Sequence, residues 1–159
     1  MTKSNQKLSA KTRVAQALRY IDRETGAIIP PIQSSATFAR DENYETRKPY
    51  WYKRDGNETT SHAEAMIADL EEAKDTLLFS SGMSAATAVI DHLEEKSHVV
   101  VPKAMYHGVL QQFKTYEKKG RLRVSYYEAG NLNELSAVIN QNTSLVWAET
   151  PNNPDWAVT

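Results

Sequence analysis

Short apolar segments alternate with segments of helical periodicity over the second half of the chain, and this alternation limits the folds that it can adopt. Strands are predicted at 76–79, 98–101, 123–127 and 143–148, and helices follow at 84–93, 106–119 and 132–140. The connections between them are short. The pattern therefore predicts an α/β fold with a mostly parallel sheet that helices cover on both faces.

The first 60 residues have a different character. Val14, Ala17, Leu18 and Ile21 fall on one helical face behind Ser9, a candidate N-cap. Two prolines at 30–31 favour an extended arm, which a loop rich in charged and aromatic residues follows at 40–60. We therefore expect 1–60 to form a helix and an arm, and 61–159 to form the domain, starting with a helix that a capping box at 61–64 begins.

Composition excludes several classes of function. The 159 residues include 19 Lys and Arg, 20 Asp and Glu, and no cysteine, with a formal net charge of -1. A chain without cysteine has no disulfide, no cysteine nucleophile and no thiolate metal site. We predict no metal, and we expect the cytoplasm as location because no basic and apolar signal segment lies near the start. The balanced charge favours neither nucleic acid nor a membrane surface as partner, and no apolar run is long enough to span a bilayer.

Polar residues directly follow the predicted strands, where ligands bind in open α/β sheets. Gly82 lies in Ser80-Ser81-Gly82-Met83-Ser84 between a predicted strand and a helix. A helix N-terminus of this kind binds phosphate through backbone N–H groups and its dipole. The alternative is a pair of serine caps and a turn glycine. A dinucleotide site is disfavoured, because the three glycines of its fingerprint are absent.

Two further segments follow strands. Tyr106, in Met105-Tyr106-His107-Gly108, could stack on a planar ligand or could simply pack at the start of its helix. The segment Glu149-Thr150-Pro151-Asn152-Asn153-Pro154 offers polar groups on a backbone that two prolines restrict, although such pairs are also ordinary turn formers.

Taken together, these motifs resemble one family in their order and spacing. The chain is similar to the N-terminal part of the pyridoxal-phosphate (PLP) enzymes of cysteine and methionine metabolism, which include cystathionine gamma-synthase, cystathionine gamma- and beta-lyases, methionine gamma-lyase and O-acetylhomoserine sulfhydrylase. The resemblance adds two segments to those above: Thr25-Gly26-Ala27-Ile28-Ile29-Pro30-Pro31-Ile32, and Tyr52-Lys53-Arg54-Asp55-Gly56-Asn57-Glu58-Thr59 for the family's Tyr-x-Arg-x-x-Asn-Pro-Thr. It implies the first half of a fold-type I large domain.

The resemblance also implies roles for individual residues. Gly82 and Met83 would bind the cofactor phosphate through their backbone N–H groups. Tyr52 and Arg54 would reach the same phosphate from the neighbouring subunit, the first as a hydroxyl donor and the second as a countercharge.

The ring of the cofactor is assigned to other residues. Tyr106 would stack on the pyridine ring and assist departure of the leaving group, and Asn153 would lie beside the ring oxygen. Glu149 is expected to order its loop. The resemblance further implies a homo-oligomer of dimers paired into tetramers.

Two departures from the family pattern stand out. Glu58 occupies the position of the family's proline, and no lysine in the chain follows Ser-x-Thr, where the family has the lysine that binds PLP covalently. The carboxylate that pairs with the pyridine nitrogen also lies beyond the family's Asn-Pro segment. We therefore expect this chain to be one piece of a longer enzyme, inactive alone, with the remainder of the protein as a partner. The alternative is a truncated product without activity.

The expected activity is PLP-dependent elimination or replacement on sulfur-containing amino acids or activated homoserine. The alternative is a non-catalytic subunit that binds a phosphate ligand or serves for interaction, and imine absorbance with borohydride trapping would separate the two.

Overall fold

The structure is a computed structural model that describes residues 8–154 and 156–158. Contacts divide the chain into two units, the first ending at Leu78 and the second beginning at Phe79.

The first unit begins with a short helix, α1 (Ala10–Ala15), and a 3-10 helix at Ala17–Arg19. The predicted Ser9 cap is confirmed, because its hydroxyl accepts a hydrogen bond from the Thr12 N–H at 3.2 Å. The predicted helix that includes Ile21 is wrong at its C-terminal end. Residues 17–19 adopt positive φ angles of 44°, 55° and 62°, which interrupt the helical hydrogen bonds.

Helix α2 (Glu58–Leu70) completes the first unit. The capping box predicted at 61–64 is wrong, since Ser61 lies in the first turn and the cap is Asn57, whose side chain accepts from the Thr59 N–H at 2.7 Å. Asn57 also donates to the Gln33 carbonyl at 3.0 Å, and the Thr59 hydroxyl accepts from the Gln33 N–H at 2.8 Å. Asn57 and Thr59 therefore hydrogen-bond both the carbonyl and the N–H group of Gln33 in the arm.

The second unit contains a three-stranded parallel sheet in the order β2-β1-β3, with β1 (His98–Pro102), β2 (Arg123–Tyr127) and β3 (Thr143–Val146). Its helices are α3 (Gly82–Asp91), α4 (His107–Lys118) and α5 (Leu132–Val138). The predicted α/β class with parallel strands is confirmed. The strand predicted at 76–79 does not form, because this segment pairs with no strand among the described residues, and Leu77 is 74% exposed.

The central strand β1 is buried along its whole length, as expected for a parallel strand with neighbours on both edges. Val99 and Val101 pack in a core cluster with side chains of α3 and α4, among them Ile90 and Phe113. Helix α4 ends in a Schellman motif: Gly120, at φ 71°, donates to the Glu117 carbonyl, and Arg121 donates to the Tyr116 carbonyl, both at 2.9 Å. This packing fixes the first turns of α3 and α4, which carry the candidate site.

Candidate functional site

A cleft of roughly 550 Å³ lies in the second unit beside residues that follow the sheet strands. The first turn of α3, the start of α4 and the segment after β3 all contribute to it. Its lining residues are Ser81, Gly82, Met83, Ala85, Ala86, Val89, Tyr106, Val109, Trp147 and Glu149. The predicted residues Gly82, Met83 and Tyr106 are therefore brought together in one place.

The first turn of α3 has the features of an anion site. Ser81 is the N-cap, and its hydroxyl accepts from the Ser84 N–H at 3.1 Å. Within the part of the chain that the structure describes, the backbone N–H groups of Gly82 and Met83 have no hydrogen-bond acceptor. A Cβ added at Gly82 would meet no atom within 4 Å, so the space in front of this turn is open. Such donors, together with the helix dipole, favour a bound anion.

Glu149 connects the segment after β3 to the start of α4. Its carboxylate accepts from the Tyr106 backbone N–H at 2.8 Å and from the Trp147 indole N–H at 3.1 Å. Trp147 is itself held by an edge-to-face contact with Phe113, with ring centroids 5.7 Å apart. These contacts agree with the ordering role expected for Glu149, and they place the 45% exposed Tyr106 beside the cleft.

Gly108 allows a close approach that the sequence motif does not reveal. A Cβ at this position would lie 2.9 Å from the Met83 sulfur and 2.9 Å from Tyr106 Cε1. Any side chain at 108 would therefore displace the phenol ring of Tyr106 or the side chain of Met83. The glycine keeps the two predicted site residues packed against the first turn of α4.

The two adjacent asparagines have different surroundings. Asn153 is exposed and lines a separate cavity of about 280 Å³, bounded also by Pro151, Asn152, Pro154 and Trp156. Asn152 is buried, and its side chain donates to the Ala104 carbonyl at 3.1 Å. Sequence reasoning missed Asn152, because nothing in an Asn-Asn pair shows which side chain points inward. The structure does not bring Asn153 to the cleft, and its contact with the cofactor remains a prediction.

Comparison with known proteins identifies the family. The profile of the Cys/Met metabolism PLP-dependent enzymes matches residues 11–159. The chain belongs to this family. It is 34% identical over 143 residues to a cystathionine gamma-lyase of Dictyostelium discoideum, and 32% identical over 156 residues to a cystathionine beta-lyase of Coxiella burnetii. These matches cover 90% and 97% of this chain, but 37% and 40% of the two relatives.

Solved structures of this PLP-dependent family share the fold. A cystathionine gamma synthase from Xanthomonas oryzae pv. oryzae, in complex with cystathionine, superposes with a TM-score of 0.85 at 30% identity. The match covers 97% of this chain and 40% of that structure. The chain therefore spans about two-fifths of the length of the relatives that it matches, and its fold is that of fold-type I PLP enzymes.

The cleft fits the cofactor of the PLP-dependent family. PLP has a phosphate, which suits the two N–H groups at Gly82 and Met83, and a flat ring, which suits the phenol of Tyr106. The cleft is open and mostly apolar apart from these donors and the Glu149 carboxylate.

Two other predicted PLP ligands belong to the first unit. The Arg54 guanidinium lies 4.7 Å from the centroid of the Tyr52 ring, so the two side chains are neighbours. Their contact with phosphate stays a prediction.

Lys103 directly follows β1, at the edge of the sheet where ligands bind in such folds. Its ammonium lies 2.6 Å from the Glu134 carboxylate and 3.8 Å from that of Glu128. The hydrogen bond to Glu134 raises the pKa of Lys103, and the same contact lowers the pKa of Glu134. The Lys103 ammonium is therefore paired with two carboxylates of the second unit.

None of the helices in the described ranges, 8–154 and 156–158, has the length and apolar character needed to cross a membrane.

Proposed function

We propose that the whole protein catalyses elimination or replacement on sulfur-containing amino acids or activated homoserine, with PLP as cofactor. Membership of the Cys/Met metabolism family supports this proposal, as do the relatives named cystathionine lyases and synthases. One observation carries it at the residue level: the first turn of α3, with two available N–H donors, and Tyr106 line the same cleft.

In this proposal the cleft binds both the phosphate and the ring of PLP. The N–H groups of Gly82 and Met83 bind the phosphate, and the phenol ring of Tyr106 packs on the pyridine ring. Asn153, which lines a separate cavity in this structure, would turn toward the cleft to hydrogen-bond the ring oxygen. Glu149 holds the backbone of Tyr106 and thereby sets the position of its ring.

A second copy of the chain completes the phosphate site. Tyr52 supplies a hydroxyl donor, and Arg54 supplies a guanidinium whose planar donors match a phosphate. The assembly is then a homodimer at least, paired further into a tetramer. Three isoleucines of the arm, Ile28, Ile29 and Ile32, are 72%, 75% and 88% exposed. Their side chains provide apolar surface for contacts between subunits.

The chemistry divides between cofactor and protein. PLP, when bound, supplies an electron sink that stabilises negative charge on the substrate. The protein orients the substrate and moves protons, and we assign to the Tyr106 hydroxyl the donation of a proton to the departing group. A positioned general acid contributes about 10²-fold or more to a rate.

The experiment uses the purified whole protein and its Tyr106→Phe variant. PLP binding is followed by visible absorbance and by borohydride trapping. Turnover is followed as 2-oxo acid release from cystathionine and as cystathionine formation from cysteine and a homoserine ester. We expect Tyr106→Phe to lower turnover about 10²-fold and to leave the PLP dissociation constant within about threefold, since the ring is kept.

Unchanged turnover in Tyr106→Phe would reject the proton-donor role of Tyr106. A wild-type protein that binds no PLP would reject the proposal as a whole, and PLP binding without turnover of any of these substrates would reject the catalytic part.

A further inference from the structure

Glu58 stands at the first position of α2, where the related motif has proline. Proline is favoured there because its fixed φ suits a helix start and its missing N–H needs no partner. A carboxylate is also favoured there, because it faces the positive end of the helix dipole. The exchange therefore keeps the backbone and adds a charge.

The added charge interacts with two side chains of the preceding segment, Lys48 and the Tyr50 hydroxyl. The Lys48 ammonium lies 2.9 Å from the Glu58 carboxylate. This hydrogen bond raises the pKa of Lys48 and lowers the pKa of Glu58, so both groups stay ionised over a wide pH range. The ion pair joins the two ends of the segment from Lys48 to Glu58, here called the 48–58 loop.

Packing inside the 48–58 loop leaves little freedom. A Cβ at Gly56 would lie 2.6 Å from Tyr50 Cδ1, so the Tyr50 ring lies directly against the backbone of residue 56. The Tyr52 carbonyl accepts from the N–H groups of Asp55 and Gly56, at 2.9 and 3.3 Å. The loop therefore folds back on itself, and its turn carries Tyr52 and Arg54.

A short antiparallel contact holds one side of the loop to the arm. Phe38 donates to the Trp51 carbonyl at 2.9 Å, and Lys53 donates to the Ala36 carbonyl at 2.8 Å. These bonds fix residues 51–53, while the Lys48–Glu58 ion pair joins the loop ends.

We propose that Lys48 and Glu58 form a positioning pair, which holds the 48–58 loop so that Tyr52 and Arg54 present their donors to one phosphate. The pair takes over the part that a proline at position 58 would play through backbone stiffness. This inference rests on the proposed function, in which the phosphate belongs to PLP bound by a neighbouring copy. Neither Lys48 nor Glu58 contacts the phosphate itself.

The test is a double-mutant cycle on the whole protein, with Lys48→Ala, Glu58→Pro and the double variant. Two readouts are measured: the PLP dissociation constant, and the rate of trypsin cleavage after Lys53 and Arg54 without PLP, with fragments identified by mass. Lys74→Ala, which removes an exposed lysine elsewhere in the first unit, is the control.

We expect Lys48→Ala to raise the PLP dissociation constant about threefold and to speed cleavage by a similar factor, as befits an exposed ion pair. In the Glu58→Pro background the same substitution should change neither readout. Glu58→Gln, which keeps the shape of the side chain without its charge, should behave like Lys48→Ala and serves if the proline variant does not fold.

An equal effect of Lys48→Ala in both backgrounds would overturn the proposal, because it would mean that Lys48 acts independently of Glu58. No effect on either readout would also overturn it. Arg54→Ala distinguishes failure of this inference from failure of the proposed function. If Arg54 does not bind the phosphate of PLP, this substitution leaves the PLP dissociation constant unchanged, and the proposed role of the Lys48–Glu58 pair in PLP binding is rejected as well.

Discussion

The carboxylate of Glu149 receives the backbone N–H of Tyr106, and this one contact joins the segment after β3 to the first turn of α4. A second oxygen of the same carboxylate receives the indole N–H of Trp147. Two walls of the candidate PLP cleft therefore depend on one side chain.

Glu149→Ala is expected to lower the free energy of unfolding by about 2 kcal/mol, since two hydrogen bonds to a charged acceptor are lost. The same substitution should weaken PLP binding, because the Tyr106 backbone is no longer held. Glu149→Gln keeps one acceptor oxygen and should give intermediate values. Urea unfolding and PLP titration measure the two effects, and equal values for wild type and Glu149→Ala would contradict the role.

Gly108→Ala tests the close packing of Tyr106 and Met83. Alanine favours the helix by up to about 1 kcal/mol, whereas its Cβ crowds both side chains, so the two effects on stability oppose each other. The PLP dissociation constant is the informative quantity, and we expect it to rise about tenfold, as ~1.4 kcal/mol of lost binding would cause. His107→Ala, which changes an exposed neighbouring residue, is the control and should leave the PLP dissociation constant unchanged. Unaltered PLP affinity in Gly108→Ala would show that the ring position is unimportant.

Stability should fall at high pH partly because of Tyr126. Burial first, and the 2.9 Å hydrogen bond to Glu117 second, raise the pKa of Tyr126 from 10.0 to about 12. The folded state then holds the phenol proton more tightly than the unfolded state does. The contribution is therefore complete below pH 10 and is lost as pH rises toward 12.

Tyr126→Phe keeps the half-buried ring and removes the titrating hydroxyl. The free energy of unfolding of this variant should therefore decline less steeply between pH 10 and 12 than that of the wild type. Urea unfolding at several pH values over this range measures the slope. Parallel slopes would mean that Tyr126 titrates alike in both states. Burial also raises the pKa of Tyr127, so some decline is expected to remain in the variant.

The parts of the fold that the sequence predicted well are those where local periodicity and tertiary burial agree. Strand β2 has its predicted bounds, and α4 differs by one residue at each end. The predictions failed where a non-local partner decides. The segment 76–79 is apolar, but a strand also needs a neighbour. Helix α2 starts at Glu58, because the side chain of its N-cap, Asn57, is held to the arm at Gln33.

The same distinction applies to the site. The position of Tyr106 was predictable, because residues that follow parallel strands meet at one edge of the sheet. Gly82 and Met83 were predictable from their motif at the start of a helix, although the strand expected before them does not form. The roles of Gly108 and Asn152 were not predictable, since both depend on distances between side chain and backbone that only packing sets. The ion pair of Lys48 with Glu58 likewise joins residues whose sequence spacing suggests no contact.

The central claim is that the first turn of α3 binds the phosphate of PLP, and Gly82→Asp tests it most directly. An acidic residue at the first helical position suits the dipole and meets open space, so the free energy of unfolding should stay equal or rise by about 0.5 kcal/mol. Its carboxylate would repel the phosphate, at a cost of ~1 to ~4 kcal/mol for charges about 4 Å apart.

The decisive measurement compares the dissociation constants of PLP and of pyridoxal, which lacks the phosphate, in wild type and Gly82→Asp. We predict that the PLP constant rises at least about tenfold, while the pyridoxal constant changes little. A variant that folds as stably as wild type and binds PLP equally well would contradict the claim.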